Sequence, residues 1–185
     1  VNADGIDDLV VGSPSDGVAV ESRVYIKYGP IGASPAVYPV DFPSPYASAD
    51  SCIGDGDAAF DRLGTDLAAA DYDADGKLEL YIGAPLYSGG GMARNGGVFA
   101  LTGGNYGGLT TSRSTAPVVW YGRVDDGNLG WGVDLGDLDG DGALDLSVGG
   151  SGLGDPNGST HVIKEPTPDP CLTLVCNDAN ECTSD

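Results

Sequence analysis

Residues 71–85 read Asp-Tyr-Asp-Ala-Asp-Gly-Lys-Leu-Glu-Leu-Tyr-Ile-Gly-Ala-Pro, and this stretch decides the fold. Its first half concentrates acid. Asp71, Asp73 and Asp75 stand at positions 1, 3 and 5, Gly76 at position 6, Lys77 at position 7 and Glu79 at position 9. Its second half alternates, with Leu78, Leu80 and Ile82 on one side and Glu79 and Tyr81 on the other. A period of two with apolar and aromatic residues predicts a half-buried β-strand. An acidic loop that runs straight into a strand is the unit from which the rest of the chain is read.

The unit recurs. Residues 1–14 read VNADGIDDLVVGSP and residues 137–150 read DLDGDGALDLSVGG. The Asp before each Gly is Asp4, Asp75 and Asp141, with separations of 71 and 66 residues. Upstream of the second and third loops stands a Leu-Gly step, Leu63-Gly64 and Leu129-Gly130; downstream of each loop lies a strand-like segment, VYIKYG from Val24, VFALTGG from Val98 and THVIKE from Thr160. Leu144, Leu146 and Val148 alternate as their counterparts do, and further strands fit residues 36–42 and 118–123. The stretches between are rich in Gly, Pro, Asn and Ser, which supply turns. No stretch carries a 3.6-residue apolar pattern over a dozen residues. About four short strands per repeat predict an all-β chain, a partial β-propeller of about three four-stranded blades. A closed propeller has four to eight blades, so the expectation is that further blades lie N-terminal to Val1 or come from another chain.

The acids have a use. Carboxylates at positions 1, 3, 5 and 9 converge on one point when the chain turns sharply, and Gly at position 6 permits the turn. The carbonyl at position 7 adds an oxygen. Hard oxygen donors in a flexible loop select Ca²⁺, and without a cation such crowded carboxylates repel one another. The expected ligands are Asp71, Asp73, Asp75, Lys77 (through its carbonyl) and Glu79 in the second loop, and Asp137, Asp139, Asp141, Ala143 (carbonyl) and Asp145 in the third. The first loop supplies Asn2, Asp4, Ile6 (carbonyl) and Asp8, and its position 1, just before Val1, is expected to be Asp. An EF-hand needs an acid at position 12; here that position is Val11, Ile82 or Val148, inside strands. Solvated Asp-Gly turns are the bland alternative, and three loops at matching offsets before matching strands weigh against it. About three Ca²⁺ ions are expected.

Composition bounds the rest. The chain has 185 residues, 8 Lys plus Arg against 28 Asp plus Glu, a net charge of −20 and 31 Gly. Such acid excludes nucleic acid, which needs clustered Lys and Arg, and docking on anionic membranes. No apolar run approaches the roughly 20 residues of a spanning helix. Cys52, Cys171, Cys176 and Cys182 are spaced unlike zinc ligands and the one His is His161, so the cysteines are read as disulfide formers in an oxidising compartment, with a buried thiol as the alternative for Cys52. Residues 165–170, EPTPDP, read as an extended linker, and residues 171–185, CLTLVCNDANECTSD, as the start of a cysteine-rich disulfide module.

With these residues assembled, the chain resembles the FG-GAP repeat of integrin α-subunit propellers and of many secreted bacterial proteins. The family pattern is an aromatic-Gly or Leu-Gly step, an acidic Asp-Gly loop, then a strand ending in Gly-Ala-Pro. Leu63-Gly64 and Leu129-Gly130 match the step, Gly83-Ala84-Pro85 matches the end, Gly12-Ser13-Pro14 differs by one residue, and Gly149-Gly150-Ser151 lacks the Pro. The resemblance covers roughly residues 1–164, taken as the propeller repeats. It implies that Ca²⁺ braces each blade, that the protein is extracellular or at the cell surface, and that its role is adhesion, recognition or scaffolding. Residues 171–185 resemble short cysteine-rich modules of large secreted bacterial proteins and, more weakly, the opening of calcium-binding EGF modules.

No catalytic constellation emerges. The paired carboxylates are committed to metal; Asp55, Asp57, Asp61, Asp125 and Asp126 sit in loop-like sequence; His161 has no nucleophile motif around it. Gly89-Gly90-Gly91 carries no phosphate-loop Lys. Trp120, Trp131 and the nine Tyr are expected to pack chiefly between blades, with a carbohydrate platform as the alternative. The expected function is therefore a non-catalytic, calcium-binding extracellular domain with a protein or glycan ligand. The alternatives are an accessory propeller of a secreted hydrolase and a self-assembling subunit of an extracellular filament.

Overall fold

The computed structural model describes residues 2–15, 22–30, 49–54, 61–72, 74–101, 110–112, 118–152 and 159–163. Among them the alternating segments form strands and no helix: β1 (Leu9–Ser13), β2 (Arg23–Lys27), β3 (Ser51–Gly54), β4 (Leu67–Ala70), β5 (Glu79–Ala84), β6 (Gly97–Leu101), β7 (Thr110–Ser112), β8 (Val118–Tyr121), β9 (Leu129–Gly136), β10 (Asp145–Gly150) and β11 (Ser159–Ile163). They make three sheets.

The central sheet is the four-stranded blade that the repeat length anticipates. Its order is β4-β5-β6-β8 and every neighbouring pair is antiparallel. The third sheet, β9-β10-β11, is likewise antiparallel, with three strands among the described residues. In the first sheet β1, β2 and β3 are antiparallel, and β7 joins β3 in parallel, Cys52 opposite Thr110 and Gly54 opposite Ser112. β7 belongs in sequence to the connection between β6 and β8. That connection therefore reaches out of its own blade to cover the edge of the preceding one. The fold is all-β, a partial propeller of FG-GAP-type blades.

One expectation needs correcting. Alternation in residues 78–82 predicted a strand with one face buried, yet every residue of β5 is buried. The reason is that the central sheet lies between two others. Leu80, Ile82 and Ala84 of β5 and Phe99 and Leu101 of β6 pack with Val24, Ile26 and Ile53 of the first sheet. Tyr81, Val98 and Ala100 point the other way and pack with Leu129, Val133, Leu146 and Val148 of the third. Both halves of the alternation are apolar where both faces are covered. In β11 of the third sheet Thr160, His161 and Val162 are all exposed, so both faces of that strand are open to solvent there.

Strand 118–123 corresponds to β8, while β3 and β7 were not foreseen. The expected strand at residues 36–42 lies outside the described residues, as do residues 165–185 with Cys171, Cys176 and Cys182. Cys52 is buried in β3. The aromatic residues follow the packing expectation in part. Tyr81 stacks on Trp120 with ring centroids 6.0 Å apart, and Tyr87 meets Phe99 edge-on at 5.1 Å. Trp131 remains 39% exposed, with the Arg62 guanidinium 5.4 Å from its ring centre, a cation–π contact across the blade junction.

The family's two glycine motifs meet at each junction. A Cβ on Gly83, from Gly-Ala-Pro of the central blade, would lie 2.3 Å from the carbonyl oxygen of Gly130, from the Leu-Gly step of the next. A Cβ on Gly12 of the first blade would lie 2.0 Å from the carbonyl oxygen of Gly64. Backbones touch there, which only Gly allows. Asp66 fastens the same junction: its Oδ1 accepts the N–H of Leu67 at 3.0 Å and its Oδ2 accepts that of Val133 in the next blade at 2.8 Å. Fully buried Asn95 secures the nearby loops, donating to the carbonyls of Gly89 (3.1 Å) and Gly122 (2.6 Å) and accepting from Gly89 N–H (2.8 Å).

Candidate metal centres

The second and third acidic loops are hairpin connections at one end of their blades. The second joins β4 to β5 and closes where Ala70 pairs with Glu79; the third joins β9 to β10 and closes where Gly136 pairs with Asp145. The first leads into β1. The ninth-position acid thus begins, or immediately precedes, a blade strand. Glu79 and Asp145 are 6% and 3% exposed, so each carboxylate is anchored in the sheet, while the other described residues of its loop are half-buried or exposed.

The loops share one backbone frame. Position 4 is left-handed in all three, at Ala3 (φ 61°), Ala74 (φ 57°) and Gly140 (φ 82°); so is position 6, at Gly5 (80°), Gly76 (86°) and Gly142 (92°). These turns curl the chain so that its own N–H groups reach the acids. The position-5 carboxylate accepts the N–H of position 7 at 2.8 Å in every loop: Ile6 to Asp4, Lys77 to Asp75 and Ala143 to Asp141. The position-1 carboxylate accepts the N–H of position 6, Gly76 to Asp71 at 3.0 Å and Gly142 to Asp137 at 3.1 Å. The ninth-position acid accepts the N–H of position 2, Tyr72 to Glu79 at 2.8 Å and Leu138 to Asp145 at 3.0 Å. In the first loop Asp8 accepts instead from Asn2 (3.1 Å) and from Gly29 (3.0 Å). Both carboxylate oxygens accept hydrogen bonds at Asp4, Asp8, Asp75 and Asp137.

In the third loop the result is a convergence. Oxygens of Asp137, Asp139 and Asp145 lie within 4.8 Å of one another. Asp141 faces the same loop and accepts from Ala143. In the second loop Asp71 Oδ1 is buried with no hydrogen-bond partner among the described residues. Such an atom costs free energy unless a donor or cation meets it. Asp73 lies outside the described residues. Asp75 is engaged by the Lys77 ammonium, 2.6 Å from Oδ2, and that contact, with the Lys77 N–H, holds its carboxyl below the usual carboxylate range. Burial pushes Asp8 up, but the N–H groups of Gly29 and Asn2 outweigh it and its carboxyl is held down.

The donor set fits a hard divalent cation: carboxylates, carbonyls and no sulfur or imidazole. The residues that would hold it are Asp71, Asp75 and Glu79 with the Lys77 carbonyl; Asp137, Asp139, Asp141 and Asp145 with the Ala143 carbonyl; and Asn2, Asp4 and Asp8 with the Ile6 carbonyl. What sequence reasoning missed is the shared left-handed position 4, because Ala in two loops gives no signal for it. It also missed the ammonium of Lys77, which a reading of its carbonyl overlooks.

The FG-GAP repeat matches residues 63–101, the span from the Leu-Gly step through the second loop to the end of β6. Particular relatives follow. The chain is 35% identical over 153 residues to rat phosphatidylinositol-glycan-specific phospholipase D, 36% identical over 152 residues to the mouse protein and 32% identical over 154 residues to the human one. Each match takes in 80% of this chain and 17% of the relative. The chain therefore spans about one sixth of the length of these relatives.

Proposed function

We propose that this chain is a calcium-braced, non-catalytic propeller module working outside the cell, and that it serves as an accessory part of a larger hydrolase resembling phosphatidylinositol-glycan-specific phospholipase D. The observation that carries the metal part is the convergence of Asp137, Asp139 and Asp145 on a hydrogen-bond frame repeated in the other two loops. A bound cation would supply neutralising charge; the ninth-position acids Asp8, Glu79 and Asp145, at the start of or just before a blade strand, would tie it to that strand.

The choice of an accessory role over a free-standing adhesion or scaffold role rests on the relatives, whose whole length this stretch only partly covers. The catalytic chemistry of such a protein would reside outside these residues. A protein or glycan ligand on the propeller surface suits either role. The test is a calcium titration of the chain, with metal counted by mass spectrometry and melting followed in millimolar Ca²⁺ and in chelator. Each site held at ten times its Kd contributes about 1.4 kcal/mol. Two to three ions per chain with a calcium-specific rise of several degrees supports the reading. No bound calcium and superimposable melts would reduce the loops to turns.

A further inference from the structure

Both blade junctions are made the same way. Toward the sheet after it, the first sheet turns Val10 and Ile26, directly opposite one another, with Val24 beside them. The central sheet turns Ala68, Tyr81 and Ala100, one row across β4, β5 and β6, with Val98 beside them. Apolar side chains of the following sheet meet each row: Leu80, Ile82 and Phe99 at the first seam, Leu146 and Val148 at the second. The two outer faces of the stack do not match each other. Register places Leu9, Val11 and Tyr25 on the far face of the first sheet, with Val11 opposite Tyr25. These are the positions that Leu80, Ile82 and Phe99 hold in the central sheet, where Ile82 is opposite Phe99. Leu9 is 46% exposed, and Val11 and Tyr25 are half-buried. On the far face of the third sheet register places Asp134, Ser147 and Val162 in one row, with Thr160 beside them opposite Gly149. These are the positions of Ala68, Tyr81, Ala100 and Val98. A carboxylate and two hydroxyls thus stand where three apolar side chains form the seam one blade earlier.

We propose that the stack is one-ended: the far face of the first sheet is a docking surface for a further blade of the same repeat, and the far face of the third sheet is a polar cap that seats none. A blade whose row is apolar, as Val10–Ile26 and Ala68–Tyr81–Ala100 are, would continue the two existing seams with no new chemistry. The third sheet of a second copy does not qualify. Seating it there would bury the Asp134 carboxylate and the Ser147 and Thr160 hydroxyls against Leu9 and Val11, which offer no hydrogen bond, and burial of that kind is unfavourable. Asp134 is exposed, and its Oδ1 accepts the N–H of Leu135 at 2.9 Å. Repeat arrays need polar end surfaces of this kind to stay soluble. With an apolar far face on the third sheet, the two ends of one chain would be complementary, and such a head-to-tail contact runs on into rings or fibres. The cap therefore separates docking of a blade from self-assembly. Arg23 and Lys27 flank Tyr25 on the docking face, with the Lys27 ammonium on Asp50 at 3.0 Å; an ion pair from Asp134 to either is the one attraction that opposes the cap, and the experiment includes it. The proposal rests on the sheets and not on the metal reading.

The experiment uses the whole chain and follows its molecular mass by sedimentation over rising protein concentration. Asp134→Ala, Ser147→Tyr, Thr160→Val and Val162→Ala together copy the central blade's row onto the third sheet. Wild type is expected to stay monomeric. The fourfold variant is expected to gain mass at concentrations at least about tenfold lower than any at which wild type does. Adding Leu9→Gln and Val11→Thr, which make the first sheet's face polar at similar shape, should return it to the monomer. Asp134→Ala with Thr160→Val, confined to exposed positions, carries the same expectation and serves if the fourfold exchange melts below wild type. Variants that fold and remain monomeric overturn the docking surface. Association of wild type that is lost on Asp134→Ala overturns the cap, and association that Leu9→Gln with Val11→Thr leaves unchanged overturns the assignment of the first sheet's face.

Discussion

Replacing Gly83 by Ala tests the blade junction directly. The new methyl would sit 2.3 Å from the Gly130 carbonyl oxygen and 3.2 Å from the Val133 Cγ2. An ordinary contact needs more than 3 Å, and the obstructing atom is backbone, so no rotamer change relieves it. Either β5 or the chain at Gly130 must retreat by about 1 Å. That retreat loosens the contacts of Tyr81, Val98, Leu129 and Val133 across the same seam. Overpacking of this kind costs typically 1–3 kcal/mol, and the loosened seam places Gly83→Ala toward the upper end, about 2–3 kcal/mol. For a chain of this size the melting midpoint should fall by about 5–10 °C. Gly132→Ala is the control: nothing lies within 4 Å of its Cβ and its φ is not left-handed. There the loss of unfolded-state freedom should stabilise slightly, by up to about 1 kcal/mol. Urea and thermal unfolding in saturating Ca²⁺ would be compared for the two. If Gly83→Ala melts with wild type, or if Gly132→Ala is destabilised as much, the close-approach argument is wrong.

Other expectations follow from the same contacts. Asp66→Ala strips acceptors from the N–H groups of Leu67 and Val133 and should cost about 1–3 kcal/mol, with Asp66→Asn milder, measured by urea unfolding. Asp145→Asn should remove most of the calcium-dependent gain contributed by the third loop, about 1.4 kcal/mol at ten times Kd, while leaving the melt in chelator unchanged or higher. Asp50 supplies a pH test: burial pushes its carboxyl up, but the N–H of Tyr28 and the Lys27 ammonium outweigh this and hold it below 3.8. A depressed folded pKa means stability that is full above about pH 5 and is lost as pH falls through and below that value. The Lys27–Asp50 pair is partly exposed, so the loss is under about 1 kcal/mol, and Asp50→Asn should flatten that part of the acid limb in melts at pH 3–6.

Much of this was legible in the sequence because the loops are local. Carboxylates at fixed offsets, a Gly at position 6 and an alternating strand all fall within fifteen residues, and each signal is intrinsic to its segment. What escaped was decided elsewhere in the chain. That β5 would be covered on both faces depends on Leu129, Val133, Leu146 and Val148 arriving from the next blade. β3, only Ser51–Gly54, has too few alternating positions to announce itself, and its parallel partner β7 comes from another blade's connection. The candidate ligands are a set of offsets in the sequence, but which oxygen is buried without a hydrogen-bond partner among the described residues, Asp71 Oδ1, depends on contacts that spacing alone does not rank.

The glycine junctions carry a consequence for how such proteins grow. The central repeat holds one glycine that meets its predecessor, as Gly64 meets Gly12, and one that meets its successor, as Gly83 meets Gly130. A single repeat is thus self-complementary from end to end, like a brick moulded with both tongue and groove. A duplicated copy arrives already able to seat against its parent, and a deleted one leaves matching faces behind. Length variation among chains built from this unit then needs no new interface chemistry, only another turn of the same register.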